Sequence, residues 1–189
     1  MFPRLKRRQQ LSVLQLGDTR LRQMAQPVDT IDNRLQILIN NLIWTAQKAN
    51  GVGIAAPQVG ESVQLFIVAS SPNLRYPNAP RMQPTAMINP RIIAHSDTIV
   101  RDWEGCLSVP DQRGQVDRWQ EIEVAYGDLR GKQHQRVLTD FVARIFQHEL
   151  DHLNGTLFVD HVDDPTALLT EAEYFAQLDS LPSTAVPEE

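Results

Sequence analysis

Apolar residues recur at helical spacing in three stretches of the chain. Within residues 34–49 they fall at i, i+3, i+4, i+7, i+8 and i+11, which predicts an amphipathic helix that the following Asn-Gly pair ends. A second, largely buried helix is predicted between an N-cap at Asp140 and Gly155, which lies just past its end. A third amphipathic helix is expected to run from the Asp-Pro pair at residues 164–165 to Leu178.

Strands are predicted where β-branched and other apolar residues cluster between turn signals. Residues 63–69 form a largely apolar run, which is typical of a buried strand. Further strands are expected at residues 86–93, 98–103, 121–129 and 133–138, and a tight turn joins the last two. Residues 70–84 carry four prolines and predict a long surface loop.

Composition and charge favour an ordinary globular domain. The chain has 189 residues, enough for one core, and 42% hydrophobic residues with no apolar run near the length of a membrane span. A net charge of −5 gives no support for a broad surface that binds nucleic acid or membrane. We expect a basic, flexible lead over residues 1–10, a single domain over residues 11–179 and a polar tail over residues 180–189.

The lead contains one basic cluster, Arg4, Lys6, Arg7 and Arg8. A solvated, mobile terminus explains this cluster, and contact with ribosomal RNA or anionic lipid is the alternative. The lead has no apolar segment of the kind that secretion signals contain, and one cysteine allows no intramolecular disulfide. We therefore expect a cytoplasmic protein.

The chemistry centres on Gln-His-Glu-Leu-Asp-His at residues 147–152. On a helix, His148 and His152 lie on one face and can bind one metal ion, while Glu149 reaches the water on that metal. A solvated face or a hydrogen-bonded histidine pair would show the same spacing. The surrounding helix is apolar, however, and a buried histidine pair without a partner would be costly, which favours the metal site.

Three candidate sources of a third ligand can be tested against the sequence. One class of zinc protease extends the motif to a further histidine, but Phe158 stands at that position and cannot bind a metal. Another class takes a glutamate from a following helix, for which Glu171 and Glu173 are candidates, although solvent-facing carboxylates explain both. The third source is Cys106, whose thiolate would complete a site of two imidazoles and one sulfur with a fourth position open to water.

Three stretches in this order resemble the signature motifs of the peptide deformylases of bacteria and plastids. They are Gly-Val-Gly-Ile-Ala-Ala-Pro-Gln at residues 51–58, Glu-Gly-Cys-Leu-Ser at residues 104–108 and the motif at residues 147–152. The looser resemblance covers residues 13–162. It implies an α+β fold in which small antiparallel sheets wrap around a central helix that carries the His-Glu-x-x-His motif.

The resemblance also implies a role for each matching residue. The metal ligands would be Cys106, His148 and His152, with Glu149 as general acid and base. The oxyanion donors would be Gln58 and the backbone N–H of Leu107. The residues on the substrate side would be Val52, Gly53, Arg113, Arg144 and Ile145, with Arg144 using its aliphatic stem; a surface salt bridge is the alternative for Arg113.

The implied reaction is hydrolysis of the formyl group from the N-terminal formyl-methionine of nascent polypeptides, which releases formate. The implied cofactor is one divalent metal ion, Fe(II) in the cell, although the ligand set also admits Zn(II), Ni(II) or Co(II). Expected partners are formylated nascent peptides and the ribosome near its exit tunnel, with no DNA, no membrane and a monomeric chain. Two alternatives remain: a zinc endopeptidase with a glutamate ligand from the last helix, and a non-catalytic member of the fold that binds nascent chains or ribosomes.

Overall fold

A computed structural model describes residues 8–180 of the chain. The helices are α1 (Asn33–Lys48), α2 (Asp140–Leu153) and α3 (Glu171–Ser180). The strands are β1 (Gly53–Ala55), β2 (Leu65–Val68), β3 (Thr85–His95), β4 (Ile99–Cys106), β5 (Val109–Trp119), β6 (Glu121–Gly127) and β7 (Gln133–Thr139). Short 3-10 turns lie at Thr19–Arg22, Ala56–Val59, Phe158–His161 and Pro165–Ala167.

The strands form two antiparallel sheets. Five of them pair in the order β1-β2-β3-β6-β7, while β4 and β5 form a separate two-stranded hairpin. All four residues of strand β2 are buried. Successive side chains of a strand point to opposite sides, so both faces of β2 must be covered. Leu65 and Ile67 pack in the cluster that contains the buried face of α1, and Phe66 and Val68 pack in the cluster that contains α2. This arrangement explains the apolar run that predicted the strand.

Helix α2 packs against the five-stranded sheet and the hairpin. Phe146 packs edge-on against Phe66 with ring centres 5.1 Å apart, in a cluster that also contains Ala143 and Val124. The opposite side of α2 contacts β5. Residues of α2 can therefore meet residues at the end of the β4–β5 hairpin, where the candidate chemistry lies.

The predicted helices α1 and α2 and the strands β2, β3, β4, β6 and β7 are confirmed to within a few residues. Two details at helix ends differ. Thr139, not Asp140, is the N-cap of α2; Asp140 is the first helical residue and has a positive φ of 50°. The third helix does not start at residues 164–165, because a 3-10 turn there is followed by extended backbone at Leu168 before α3 begins.

Strand β5 and the short β1 were not predicted. Residues 109–119 contain a proline, a glycine and several charged side chains, which is typical of a turn, yet all eleven belong to the strand that pairs with β4. Three residues of the predicted basic cluster, Arg4, Lys6 and Arg7, lie outside the described residues, as do residues 181–189 of the predicted tail. No helix within residues 8–180 is long and apolar enough to cross a membrane.

Candidate metal centre

Three side chains with metal-binding atoms meet where β4 ends against α2. Cys106 is the last residue of β4, and His148 and His152 lie one turn apart on the same face of α2. One ligand atom from each side chain lies within 4.8 Å of the other two, and Cys106 Sγ is 3.2 Å from His152 Nε2. No other group of His, Cys, Asp or Glu side chains within residues 8–180 converges in this way.

This donor set fits a borderline divalent cation. A thiolate and two imidazoles match the ligands of catalytic metal sites that keep one tetrahedral position open. Burial by itself raises the pKa of the Cys106 thiol, but the neighbouring His152 and His148 outweigh it and hold that pKa well below its usual value. The sulfur is therefore poised as a thiolate, the form that binds metals.

Glu104 orients the first histidine. Its Oε2 accepts a hydrogen bond from His148 Nδ1 at 2.9 Å, so the proton lies on Nδ1 and Nε2 remains available to a metal. Its Oε1 accepts from Arg118 Nε and from Arg144 Nη1, both at 2.9 Å. Burial alone would raise the pKa of Glu104, but His148 and Arg118 outweigh burial and lower it. Glu104 is thus a buried carboxylate that stays charged.

Glu149 is a second buried carboxylate, and it lines the same pocket as Cys106 and His148. It is buried, its Oε2 has no hydrogen-bond partner among the described residues, and burial raises its pKa to about 7. Gly53 in β1 gives it room, because a Cβ at that position would lie 2.3 Å from Glu149 Oε1. A glycine is required there, since a side chain would displace the carboxylate.

Two candidate hydrogen-bond donors border the same space. The amide oxygen of Gln58 accepts from the backbone N–H of Ala55 at 2.8 Å, which turns Nε2 toward Ser108 Oγ at 3.1 Å and Cys106 Sγ at 3.4 Å. Leu107 lies in the turn that joins β4 to β5. Among the described residues, no hydrogen bond engages the Leu107 N–H.

One pocket contains these groups and extends from them along α2. Apolar and aromatic side chains form its walls: Val52, Tyr76, Trp103, Phe141 and Ile145. Arg144 contributes to the lining, but its guanidinium is engaged with Glu104 and with the backbone oxygens of Val100 and Val116 at 2.6 and 2.8 Å. Its aliphatic stem is therefore the part left for the pocket.

Arg113 and His152 are the two predicted site residues that do not line the pocket, although His152 belongs to the converging metal-binding group. Arg113 forms the salt bridge that the sequence offered as an alternative, with Glu171 as its partner, but the arginine itself is fully buried and not on the surface. Its guanidinium donates to Tyr76 Oη and to Glu171 Oε1, both at 3.0 Å. Arg113 is thus committed to other protein groups and lies behind the pocket wall.

The two glutamates proposed as alternative ligands lie elsewhere. Glu171 binds Arg75 and Arg113, and Glu173 accepts from the backbone N–H and the hydroxyl of Thr170 at the start of α3. Neither belongs to the group of converging metal-binding atoms. The version of the site with a glutamate ligand is therefore not favoured.

Sequence reasoning missed several functional neighbours of the metal centre. Glu104 was part of a recognised motif, and a charged residue directly before Gly105 and Cys106 was a usable signal for its role. Tyr76 and Arg75 come from the proline-rich segment 70–84, which was interpreted as a surface loop. Their presence in the pocket depends on long-range contacts that no local pattern reveals.

The comparisons with known proteins agree on one family. The family described as Polypeptide deformylase matches residues 10–167. Peptide deformylase 2 of Nostoc sp. is 59% identical over 165 residues, which cover 87% of this chain and 92% of the relative. Peptide deformylase 2 of Shewanella oneidensis is 43% identical over 163 residues, which cover 86% of this chain and 90% of the relative.

A solved structure of similar fold carries a short peptide. The class I type b peptide deformylase of Acinetobacter baumannii with Met-Ala-Ser bound superposes with a TM-score of 0.80 at 45% identity, covering 82% of this chain and 100% of that one. The peptide deformylase of Synechococcus elongatus in complex with actinonin has a TM-score of 0.74 at 36% identity, covering 95% and 92%.

Proposed function

Because this chain belongs to the peptide deformylase family, we propose that it is a metallohydrolase that removes the formyl group from N-terminal formyl-methionine and releases formate. One observation carries the proposal: Cys106, His148 and His152 converge beside the buried carboxylate of Glu149. We assign this activity to residues 11–179. We further propose α2 as the central helix, since it carries the motif and packs against both sheets.

Cys106, His148 and His152 are the proposed ligands of one divalent metal ion. Such an ion, when bound, supplies Lewis acidity that polarises the reacting groups and makes water a nucleophile near neutral pH. The mixed sulfur and nitrogen donors are compatible with Fe(II), Zn(II), Ni(II) and Co(II), and availability decides among them. We propose Fe(II) as the metal in the cell.

Glu149 is the proposed general base and acid. Its raised pKa, about 7, lies near neutral pH, where a carboxylate both accepts and returns a proton efficiently. It would take a proton from the water that attacks the formyl carbon. It would then deliver that proton to the amine that leaves, so that formate and a free N-terminus result.

Gln58 and Leu107 are the proposed donors to the formyl oxygen as negative charge develops there. The Gln58 amide is held by the Ala55 N–H, so its Nε2 is oriented before the substrate arrives. The Leu107 N–H has no partner within the described residues. Each donor of this kind is worth about 3 kcal/mol of transition-state stabilisation in other oxyanion holes.

The pocket suits the side chain of methionine. Val52, Ile145 and the stem of Arg144 are the proposed contacts for its flexible thioether, since all three line the pocket. Gly53 is proposed to pair with the substrate backbone from the short edge strand β1. The Met-Ala-Ser peptide bound to the Acinetobacter baumannii relative supports a peptide ligand of this length.

The endopeptidase alternative is not favoured, because Glu171 and Glu173 lie away from the metal-binding atoms. Formylated nascent chains arise where proteins are made, so a cytoplasmic location and a role near the ribosomal exit tunnel remain part of this proposal. A monomeric state is likewise proposed, with no DNA or membrane partner.

The test measures formate release on enzyme purified without oxygen and assayed for metal. The substrates are formyl-Met-Ala-Ser, unformylated Met-Ala-Ser and an unrelated protein. Formate release from the formylated peptide alone, abolished by a chelator and restored by added metal, is the expected result. Internal cleavage of the protein without formate release would refute the proposal.

A further inference from the structure

The C-terminal segment crosses the edge of β5 before it forms α3. Leu169 and Arg113 exchange two backbone hydrogen bonds. The distance is 2.8 Å from Arg113 N to Leu169 O and 2.9 Å from Leu169 N to Arg113 O. Gly114 makes this approach possible, because a Cβ there would lie 2.8 Å from Val162 and 2.9 Å from Leu168. The start of α3 is therefore fixed relative to the β4–β5 hairpin.

Glu171, the first residue of α3, accepts hydrogen bonds from two arginines with a single oxygen. Its Oε1 lies 2.9 Å from Arg75 Nε and 3.0 Å from Arg113 Nη2. Arg113 is fully buried, and a buried guanidinium without a counter-charge is strongly unfavourable. Glu171 supplies that counter-charge, and it ties β5 to the loop that contains Arg75.

Arg113 transmits this restraint to the pocket wall. Its Nη1 donates to Tyr76 Oη at 3.0 Å, and its Cζ lies 4.9 Å from the centre of the Tyr76 ring. The same side chain lies against Gly105, where a Cβ would come within 2.8 Å of Arg113 Cδ and Nε. Tyr76 Oη in turn donates to the Gly105 carbonyl at 3.4 Å. Both Tyr76 and Gly105 line the pocket.

We infer that Glu171 is a positioning residue of the methionine pocket, acting through Arg113 and Arg75 on Tyr76. The Tyr76 ring packs against Phe141 with ring centres 5.3 Å apart, and both rings form pocket wall. Without Glu171, Arg113 loses its carboxylate partner and keeps only its contacts with Tyr76 and Tyr174, so the wall is held less firmly in position. This inference rests on the proposed function and concerns recognition of the methionine side chain, not the proton transfers.

The test compares Glu171→Gln with Glu173→Gln. Both replace a carboxylate by an amide of the same shape in the first turn of α3, but Glu173 only caps Thr170 and contacts neither arginine. For Glu171→Gln we expect KM for formyl-Met-Ala-Ser to rise about five-fold while kcat stays within about two-fold of wild type. The ratio of kcat/KM for formyl-Met-Ala-Ser to kcat/KM for formyl-Ala-Ala-Ser should fall in parallel. Glu173→Gln should match the wild type in all three quantities.

Tyr76→Phe tests the route of the effect. This variant keeps the ring and removes the oxygen that accepts from Arg113. If Glu171 acts through Tyr76, the rise in KM for the double variant is smaller than the product of the two single rises. Should Glu171→Gln fail to fold, Glu171→Asp keeps the charge on a shorter side chain and should raise KM by a smaller factor.

Unchanged KM and unchanged selectivity in Glu171→Gln would overturn the inference. A lower metal content, a lower melting temperature and a lower kcat at constant KM would overturn it as well. That pattern would mean that Glu171 only stabilises the fold. Absence of formate release from the wild-type enzyme is a different outcome: it would refute the proposed function and this inference with it.

Discussion

Two clusters, each of one glutamate and two arginines, support the pocket from different depths. In the inner cluster, Glu104 is 4% exposed and binds Arg118, Arg144 and His148. Because Glu104 and these three partners are all nearly buried, solvent has little access to replace any of them. Removal of its charge would therefore leave several buried groups unsatisfied at once.

The outer cluster also joins one glutamate to two arginines, but its glutamate is more exposed to solvent than Glu104. The side chain of Glu171 is 30% exposed, and of its two partners Arg113 is fully buried while Arg75 is 16% exposed. Water can partly replace the carboxylate here, so its loss costs less. We therefore propose that the inner cluster orients the proposed metal ligand His148 and that the outer cluster positions the wall of the proposed methionine pocket.

Glu149, which lines the same pocket, gives the largest expected effect. Glu149→Gln removes the proposed base but keeps its shape, so kcat should fall by about 10²–10⁴-fold while metal content stays normal. Turnover of formyl-Met-Ala-Ser and metal assay on the same sample measure both quantities. Glu121→Gln, on an exposed face of β6, serves as the control. Near-normal turnover with full metal would exclude Glu149 from the reaction.

Glu104→Gln is the sharpest test of the inner cluster. We expect the free energy of unfolding to fall by about 3–5 kcal/mol, because Arg144 would lose its carboxylate partner and Arg118 would keep only Asp151. Metal affinity should fall by about 10–100-fold, since His148 would lose the acceptor that orients it. Urea unfolding and metal titration measure these effects. If the loss of stability were no larger than that of Glu171→Gln, the inner cluster would not stabilise the fold more than the outer one, contrary to the comparison above.

The outer cluster should respond to acid. Burial raises the pKa of Glu171, but Arg75 and Arg113 outweigh it and lower that pKa below its ordinary value of 4.5. Its stabilising contribution is therefore complete above pH 4.5 and is lost as the pH falls through the lowered pKa. The nearby groups that also face it are Asp111, whose Oδ1 accepts from the Glu171 N–H, and Tyr174, whose ring lies over Arg113.

Urea unfolding of wild type and Glu171→Gln across pH 3–7 measures this contribution. The difference between the two proteins should be about 1 kcal/mol near neutral pH, a modest value because solvent screens the exposed part of the carboxylate. It should shrink toward zero in acid, and all other carboxylates cancel in the comparison. If the difference in the free energy of unfolding grew as the pH fell, the assignment of a charged Glu171 in the folded protein would be wrong.

The candidate metal-binding residues beside the inner cluster could be predicted from the sequence in large part, whereas the arginine partners of Glu104 and the outer cluster could not. Helical periodicity predicts α2, and fixed spacing within it brings His148 and His152 to one face. Glu104 and Cys106 belong to one short motif. In the outer cluster, Arg113 and Glu171 are 58 residues apart, and Arg75 is 96 residues from Glu171. Such contacts follow from the packing of the whole chain.

Strand β5 shows a second physical reason for a missed element. Its residues alternate between exposed charged positions and buried positions such as Val116 and Arg118, so a buried arginine takes a place where a pattern-based prediction expects an apolar residue. Its partner is β4, and the pairing satisfies backbone groups that a turn would leave to water. Tertiary context thus outweighs the local signals for a turn.

The smallest expected effect comes from a third ion pair on the same hairpin. Arg101 in β4 and Asp117 in β5 lie 3.8 Å apart, with side chains 58% and 59% exposed. Asp117→Asn should change the free energy of unfolding by less than about 0.5 kcal/mol, because water and salt screen both charges. Urea unfolding beside Glu104→Gln provides the measurement. A loss of stability close to that of Glu104→Gln would mean that pairing across the hairpin, rather than burial, determines how much an ion pair stabilises the fold. The contrast between the inner and outer clusters would then lose its physical basis.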